Sequence, residues 1–357
     1  GPVIWIPEIV EVDDSGRGRL IQSLKSVLTS ETFLGTTIFN QFFTLEDLLS
    51  RLLSQIKANA ENILGHSLDS VVLGRPVRYV GTGQNSIALS RMKNIGQKAG
   101  FKNIEFEYEP VGAALNYGLN LNRNQTILVY DFGGGTLDVC IMKFPESKVL
   151  SVSGRGIGGD LINSRLLESK ISPHFGSQTI INGKVTFPKY FINEISTWYR
   201  STLLKTVKNI ETLKDLKIKS NQPQLINNLI ELIVNDYGFD LFNTLDLSKI
   251  ALSSVDSTIF SFIKPTLAIN EPILRLDLEN SIKPEIIGSH NCIFEALNLA
   301  ALTPGQIDSV ILTGGSSQIP VFINQIKSIF DPRKIIVSDH FTAVAAGLSL
   351  RAEQLFT

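Results

Sequence analysis

The run Asp131-Phe132-Gly133-Gly134-Gly135-Thr136-Leu137-Asp138 gathers the residue types that phosphate and metal chemistry needs. Ile127, Leu128, Val129 and Tyr130 are apolar or β-branched and read as a strand that delivers Asp131 at its end. Three glycines then permit a tight hairpin whose N–H groups can face a phosphate with no Cβ in the way. Val139–Met142 returns as the second strand. No Gly-Lys-Ser/Thr follows and the next element is not a helix, so this is not a Walker loop. Asp131 and Asp138 bracket the turn and can hold a hydrated metal ion, because Mg²⁺ takes few carboxylates and keeps several waters. Taken alone, the run serves equally as a capped glycine hairpin.

Three further segments carry weaker signals. Thr313-Gly314-Gly315-Ser316-Ser317 follows a strand-like Ser309–Leu312, and Pro320 opens a helix where its missing N–H costs little. Such a junction lets a nucleoside approach the backbone, although a lone Gly-Gly pair is more often plain turn chemistry. Tyr108-Glu109-Pro110-Val111-Gly112-Ala113-Ala114-Leu115 sets one carboxylate between a strand and a small-residue helix, where it can be held rigid and orient a water. An exposed Glu in a strand-to-helix turn fits that segment as well. Ala343-Val344-Ala345-Ala346-Gly347-Leu348 is a second small-residue helix. Two such helices can pack with their backbones close together, though two ordinary core helices fit the spacing too.

A chain of 357 residues is too long for one ordinary core and implies two or more packed lobes. With 43% apolar and 19% charged residues it reads as globular. Lys plus Arg (33) nearly cancels Asp plus Glu (34), which gives no electrostatic reason to expect nucleic acid or an anionic membrane as partner. No apolar stretch of about 18 residues exists to span a bilayer, and no signal peptide opens the chain. Cys140 and Cys292 lie in apolar runs and read as two buried free thiols, which fits a reducing, cytoplasmic setting. The lysines at 205, 208, 214, 217 and 219 read as a solvated helix face. Gly1-Pro2 in place of Met reads as a cleavage scar, so the natural start is expected upstream.

The scaffold that must hold these pieces alternates helices and strands, which argues α/β. A strand candidate stands at Val3–Ile6. Thr44 with Asp47 resembles a capping box, and apolar residues at helical spacing follow to about Leu64. A strand at Ser70–Gly74 ends before Pro76, a helix from about Ser86 to Ala99 closes at Gly100, and Ile104–Tyr108 is a strand. A glycine turn at 154–159 opens a helix at Asp160. Residues 176–287 give few sharp signals.

The four segments follow one another in the order used by the actin-like ATPase superfamily: first connecting helix, second phosphate loop, adenosine loop, second connecting helix. Their wording resembles DnaK-type (seventy-kilodalton heat-shock) chaperones, and more closely the shorter YegD-type relatives. The matching runs are GRPV (74–77), KNIGQKAGF (93–101), EYEPVGAALNYG (107–118), YDFGGGTLDV (130–139), GIGGDLINSRL (156–166), KIALSS (249–254) and IDSVILTGGSSQIP (307–320). The resemblance runs from about residue 25 to the end and is weakest across 176–240. It implies a two-lobed α/β fold of ribonuclease-H-like topology, N-terminally incomplete. Residues 1–122 would form the first lobe, 123–342 the second with an insert at about 176–287, and 343–357 a helix returning to the first. It also implies ATP or ADP with Mg²⁺ in a cleft between lobes, and a client or regulatory protein as a further partner.

By resemblance, Glu109 matches the carboxylate that orients water around the metal and γ-phosphate. Asp131 matches the aspartate that contacts hydrated Mg²⁺ and is a candidate general base. Thr136 and Asp138 match the pair that touches phosphate and a monovalent cation, and Lys25 is similar to the lysine that reaches the γ-phosphate. The metal set is thus Asp131, Asp138 and Glu109. Gly133, Gly134 and Gly135 form the phosphate loop, Gly314, Gly315 and Ser316 the adenosine loop, and Asp246, Lys249 and Ser253 the adenosine-contacting helix positions. Pro76 matches a proline proposed as a conformational switch.

Three departures qualify the expectation. Nothing before Lys25 resembles the family's opening phosphate hairpin, Ile250 and Gln318 replace two arginines that sandwich adenine, and no peptide-binding β-sandwich is expected among these 357 residues. The sequence therefore points to an ATP-hydrolysing switch domain with impaired hydrolysis in this chain. The alternative is a nucleotide-poor scaffold serving as an interaction module. A sugar or acetate kinase of the same superfamily fits the wording around Glu109 and at 249–254 less well.

Overall fold

The computed structural model describes residues 24–31, 33–38, 41–80, 85–118, 124–338 and 342–356. The strand candidate Val3–Ile6 lies outside the described residues. Packing divides the chain into two compact units. One holds the described residues up to Gly158 together with Gly288–Ser317 and Ile323 onward; the other holds Gly159–Ile287 and Gln318–Phe322.

In the first unit a mixed sheet of five strands has the spatial order Ile335–Val337, Ser309–Thr313, Gln125–Phe132, Leu137–Phe144, Lys148–Arg155. The first three run parallel and the last three alternate antiparallel. The central strands are covered on both faces, which is why they read as continuous apolar runs and not as alternating ones. Ile127, Val129, Cys140, Met142 and Ile311 pack under the helix Glu109–Gly118. On the opposite face Tyr130 Oη lies 2.8 Å from Ser289 Oγ, in the helix Lys283–Leu299. Both cysteines are buried and free, as expected.

The same unit carries a parallel pair, Ser70–Arg75 with Asn103–Tyr108, joined through the helix Asn85–Lys98. A short antiparallel hairpin, Gly35–Ile38 with Gln41–Thr44, leads into the helix Leu45–Leu64. There the expected capping box is present: Asp47 N–H donates to Thr44 Oγ1, and Thr44 N–H to Asp47 Oδ2, both at 3.1 Å. Gly100, at φ +90°, ends the second helix in the left-handed region that favours glycine. The helices Glu109–Gly118 and Ala343–Phe356 meet backbone to backbone. A Cβ on Gly347 would fall 1.6 Å from the Gly112 carbonyl oxygen, so the small residues are what permit the crossing.

The second unit opens with the helix Gly159–Leu166 and contains the helices Val207–Lys219, Pro223–Val234 and Gly238–Ser254. It also holds a hairpin, Ser257–Lys264 with Leu267–Leu274. Gly238–Ser254 gave a blurred pattern because its apolar residues point both ways. Leu241, Leu245 and Leu252 are buried, whereas Leu247 and Ile250 are exposed. Lys208, Lys214 and Lys219 lie on the exposed side of Val207–Lys219, the solvated face the sequence suggested. Among the described residues no helix is long and apolar enough to cross a membrane.

Candidate functional site

The glycine turn after Asp131 closes through Gly133 N–H donating to Thr136 O at 3.0 Å. Gly134 and Gly135 are exposed. A Cβ built on Gly133 or Gly135 would meet nothing nearer than 3.9 or 3.8 Å, so the turn is open to a ligand. Behind it the fit is tight, with a Cβ on Gly158 falling 2.2 Å from Gly134 O. The second glycine turn lies alongside. Thr313 is in parallel register with Asp131, and Ser316 Oγ donates to Gly133 O at 2.9 Å. Gly314 has φ +79°, and a Cβ there would fall 2.3 Å from Phe132 O. A Cβ on Gly315 would meet nothing within 4 Å. The two turns thus adjoin at the carboxyl end of neighbouring parallel strands, the edge where open α/β sheets bind ligands.

Antiparallel register sets Asp138 opposite Asp131, and alternation turns both to the face covered by Glu109–Gly118, whose first residue is Glu109. Asp138 is buried and accepts from Thr136 Oγ1 and from Val77 N–H, each at 2.9 Å. Gly154 makes room for it, since a Cβ there would fall 2.5 Å from Asp138 Oδ1. Glu109 pairs with Lys25. Lys25 rides on the one-turn helix Leu24–Val27, which Arg91 Nη1 holds by donating to the carbonyls of Leu28 at 2.9 Å and Ser30 at 2.8 Å. Asn85 fixes the strand exit, accepting from Tyr79 N–H and donating to Val77 O, each at 3.1 Å.

Removal from water is the main force on these acids. Asp131 keeps part of its surface open, yet the protein packed round its carboxyl, with the negative charges of Glu109 and Asp138, pushes its pKa up to about 8. Burial lifts Asp138 to about 7, with Glu109 adding to the rise and the Thr136 and Val77 hydrogen bonds opposing it. Burial is the larger cause and the neighbouring like charges the smaller one. Among the described residues no three acidic, His or Cys side chains group closely enough to hold a bare metal ion.

The expected adenosine positions lie in the second unit. Lys249 is buried, pairs with Asp246 at 2.6 Å and donates to Gly159 O at 3.4 Å. Asn163 Nδ2 adds a bond to Asp246 Oδ1 at 3.1 Å, and Ser253 Oγ donates to Lys249 O at 3.3 Å. Ile250 is exposed.

The structure therefore brings Lys25, Glu109, Asp131, Gly133 to Thr136, Asp138 and Gly314 to Ser316 together in one unit, and gathers Asp246, Lys249 and Ser253 in the other. Gly154, Gly158, Asn85 and Arg91 escaped sequence reasoning as supports of the site. Gly158 stood within the matched run GIGGDLINSRL, and Gly154 was read as the start of the glycine turn at 154–159, whereas the structure keeps it inside the strand Lys148–Arg155; nothing local marked Asn85 or Arg91.

A mixed sheet with paired glycine turns at its carboxyl edge, crossed by helices that touch at Gly112 and Gly347, defines an actin-like ATPase fold. Comparison with known proteins gives the family. The sequence model described as Hsp70 protein matches residues 20–183 and 241–356, well over half of the chain, and the chain belongs to the Hsp70 family. It is 28% identical to the chaperone protein DnaK of Ureaplasma urealyticum over 358 residues, covering 95% of this chain and 50% of the relative. It is 26% identical over 310 residues to a chaperone protein DnaK of Thermus thermophilus, covering 86% and 43%. The chain spans about half the length of the curated relatives it matches.

Proposed function

We propose that this domain binds ATP and ADP with Mg²⁺ and works as a nucleotide switch for a chaperone-like protein. The observation that carries the reading is the pair of adjoining glycine turns, tied by Ser316 Oγ to Gly133 O, beside Asp131 and Asp138. The residues fit the ligand. The turn is open where a phosphate would lie, and the two carboxyls keep raised pKa values although the charge of Lys25 acts on both. Mg²⁺, when bound, supplies positive charge that neutralises phosphate oxygens.

In this reading Asp131 and Asp138 would hold metal-bound water and Glu109 would orient the attacking water once nucleotide is bound. Asp131 is the candidate base. Thr136 and the N–H groups of Gly133, Gly134 and Gly135 face phosphate, and Lys25 exchanges Glu109 for the γ-phosphate. Gly314, Gly315 and Ser316 line the adenosine, with Asp246, Lys249 and Ser253 in the adenosine roles the resemblance gives them. Residues 1–122 and 123–342 would be the two lobes, with the insert at about 176–287 and 343–357 returning. We also assign the cytoplasm, a client or regulatory protein as partner, and kinship with the YegD branch. Ile250 and Gln318 offer adenine no guanidinium stack, a loss of about 1–2 kcal/mol that makes turnover slow at limiting nucleotide.

A second reading, a nucleotide-poor scaffold, draws on Lys25 and Lys249 being engaged with Glu109 and Asp246. Calorimetric titration of ADP with and without Mg²⁺ separates the two. Saturable binding that Mg²⁺ strengthens supports the switch; no heat at excess ADP supports the scaffold.

A further inference from the structure

Thr313 ends the strand Ser309–Thr313 and is fully buried, and among the described residues its Oγ1 has no hydrogen-bond partner. It stands in register with Asp131, Asp131 with Asp138, and Asp138 with Gly154. Register partners project from the same face, so Thr313, Asp131, Asp138 and the space left at Gly154 form one row across four strands. Adjacent strands lie about 4.8 Å apart, so Thr313 and Asp131 stand side by side on that face. A buried hydroxyl without a partner destabilises a fold, and a valine of the same shape carries no such cost. A use for the hydroxyl accounts for threonine at this point.

We propose that Thr313 is a positioning residue whose Oγ1 hydrogen-bonds an oxygen of the Mg²⁺·nucleotide complex held beside Asp131. The proposal rests on the nucleotide reading above. None of the residues given a nucleotide or metal role above supplies this contact; Thr313 stands in the matched run 307–320, one residue before the adenosine-loop glycines, without such a role.

The test compares the wild-type chain with Thr313→Val and Thr313→Ser by thermal melting in EDTA and by calorimetric titration with ADP, with and without Mg²⁺. Thr313→Val should raise the ligand-free melting temperature by about 1–3 °C, because it removes an unsatisfied buried group. The same variant should weaken Mg²⁺·ADP binding about ten-fold, the value of one hydrogen bond in a site closed to water. Thr313→Ser, which keeps the hydroxyl, should keep wild-type affinity. A penalty seen only with Mg²⁺ marks the partner as metal-bound water, and one that persists without it marks a phosphate oxygen. Both support the proposal. A lower melting temperature in Thr313→Val overturns it, because the hydroxyl would then be bonded within the fold. Unchanged affinity in that variant, with wild-type binding intact, overturns it alone; no Mg²⁺·ADP binding by the wild type removes the nucleotide reading as well.

Discussion

Asp131 with Asp138 and Asp246 with Lys249 are two acidic sites that meet the cost of burial in opposite ways. At Asp246 burial pushes the pKa up, but the charge of Lys249, its hydrogen bond and that of Asn163 outweigh it, and the net shift is downward. At Asp131 and Asp138 the same penalty stands largely uncompensated and both acids rise. A self-paired acid is a structural element. In a buried pair with too little positive charge the burial penalty shows directly in the upward shift of both acids.

The sharpest way to break the comparison is pH. Asp131 and Asp138 have folded-state pKa values above their ordinary 3.8, so the folded protein binds protons that the unfolded chain releases. Their contribution is fully present below about pH 4 and is lost as pH rises through about 7 and 8. Asp246 contributes the other way, with stability present above its ordinary value and lost as pH falls. Urea melts in EDTA should show stability falling by on the order of 3 kcal/mol from pH 5 to pH 9. That figure is held below a full conversion because Asp131 is partly open to solvent. A rise across that range would contradict the assignment.

Next in size is Lys249→Met, which strands Asp246 and should cost about 2 kcal/mol, moderated by the exposure of Asp246. The matching change at the other site has the opposite sign. Asp131→Asn should stabilise the EDTA-treated chain by about 1–2 kcal/mol at pH 9, read by the same melts. If both substitutions destabilise equally, the two sites are alike and the contrast fails. The smallest effect belongs to Thr136→Val, which removes the hydroxyl donor to Asp138 and should cost about 1 kcal/mol. Differential scanning calorimetry has the resolution to see it.

Local chemistry was legible and long-range packing was not. The Thr44–Asp47 cap, the stop at Gly100 and the strand–turn–strand around Gly133 to Gly135 each depend on residues a few positions apart. The Ala/Gly composition of 110–115 and 343–348 left a close helix crossing and two ordinary core helices both open, and Gly112 against Gly347 decides for the crossing. The roles of Gly154 and Gly158 depend on what lies opposite them in space, which spacing does not encode. The same holds for Arg91, far from Lys25 in the chain yet holding its turn. The short hairpin at 35–44 and the hairpin at 257–274 lacked the Asn-Gly or Asp-Gly pair that marks such turns most clearly. The pairing of Lys249 with Asp246 hid behind a helix apolar on both sides.

The account stands on Asp131 being part of a cation-dependent nucleotide site. The most direct measurement is the Mg²⁺ dependence of ADP affinity, by calorimetry, in the wild-type chain and in Asp131→Asn. The account predicts that Mg²⁺ tightens ADP binding in the wild type by about ten-fold or more and that Asp131→Asn loses most of this gain while still binding ADP alone. Equal Mg²⁺ dependence in the two proteins, or none in the wild type, would contradict it.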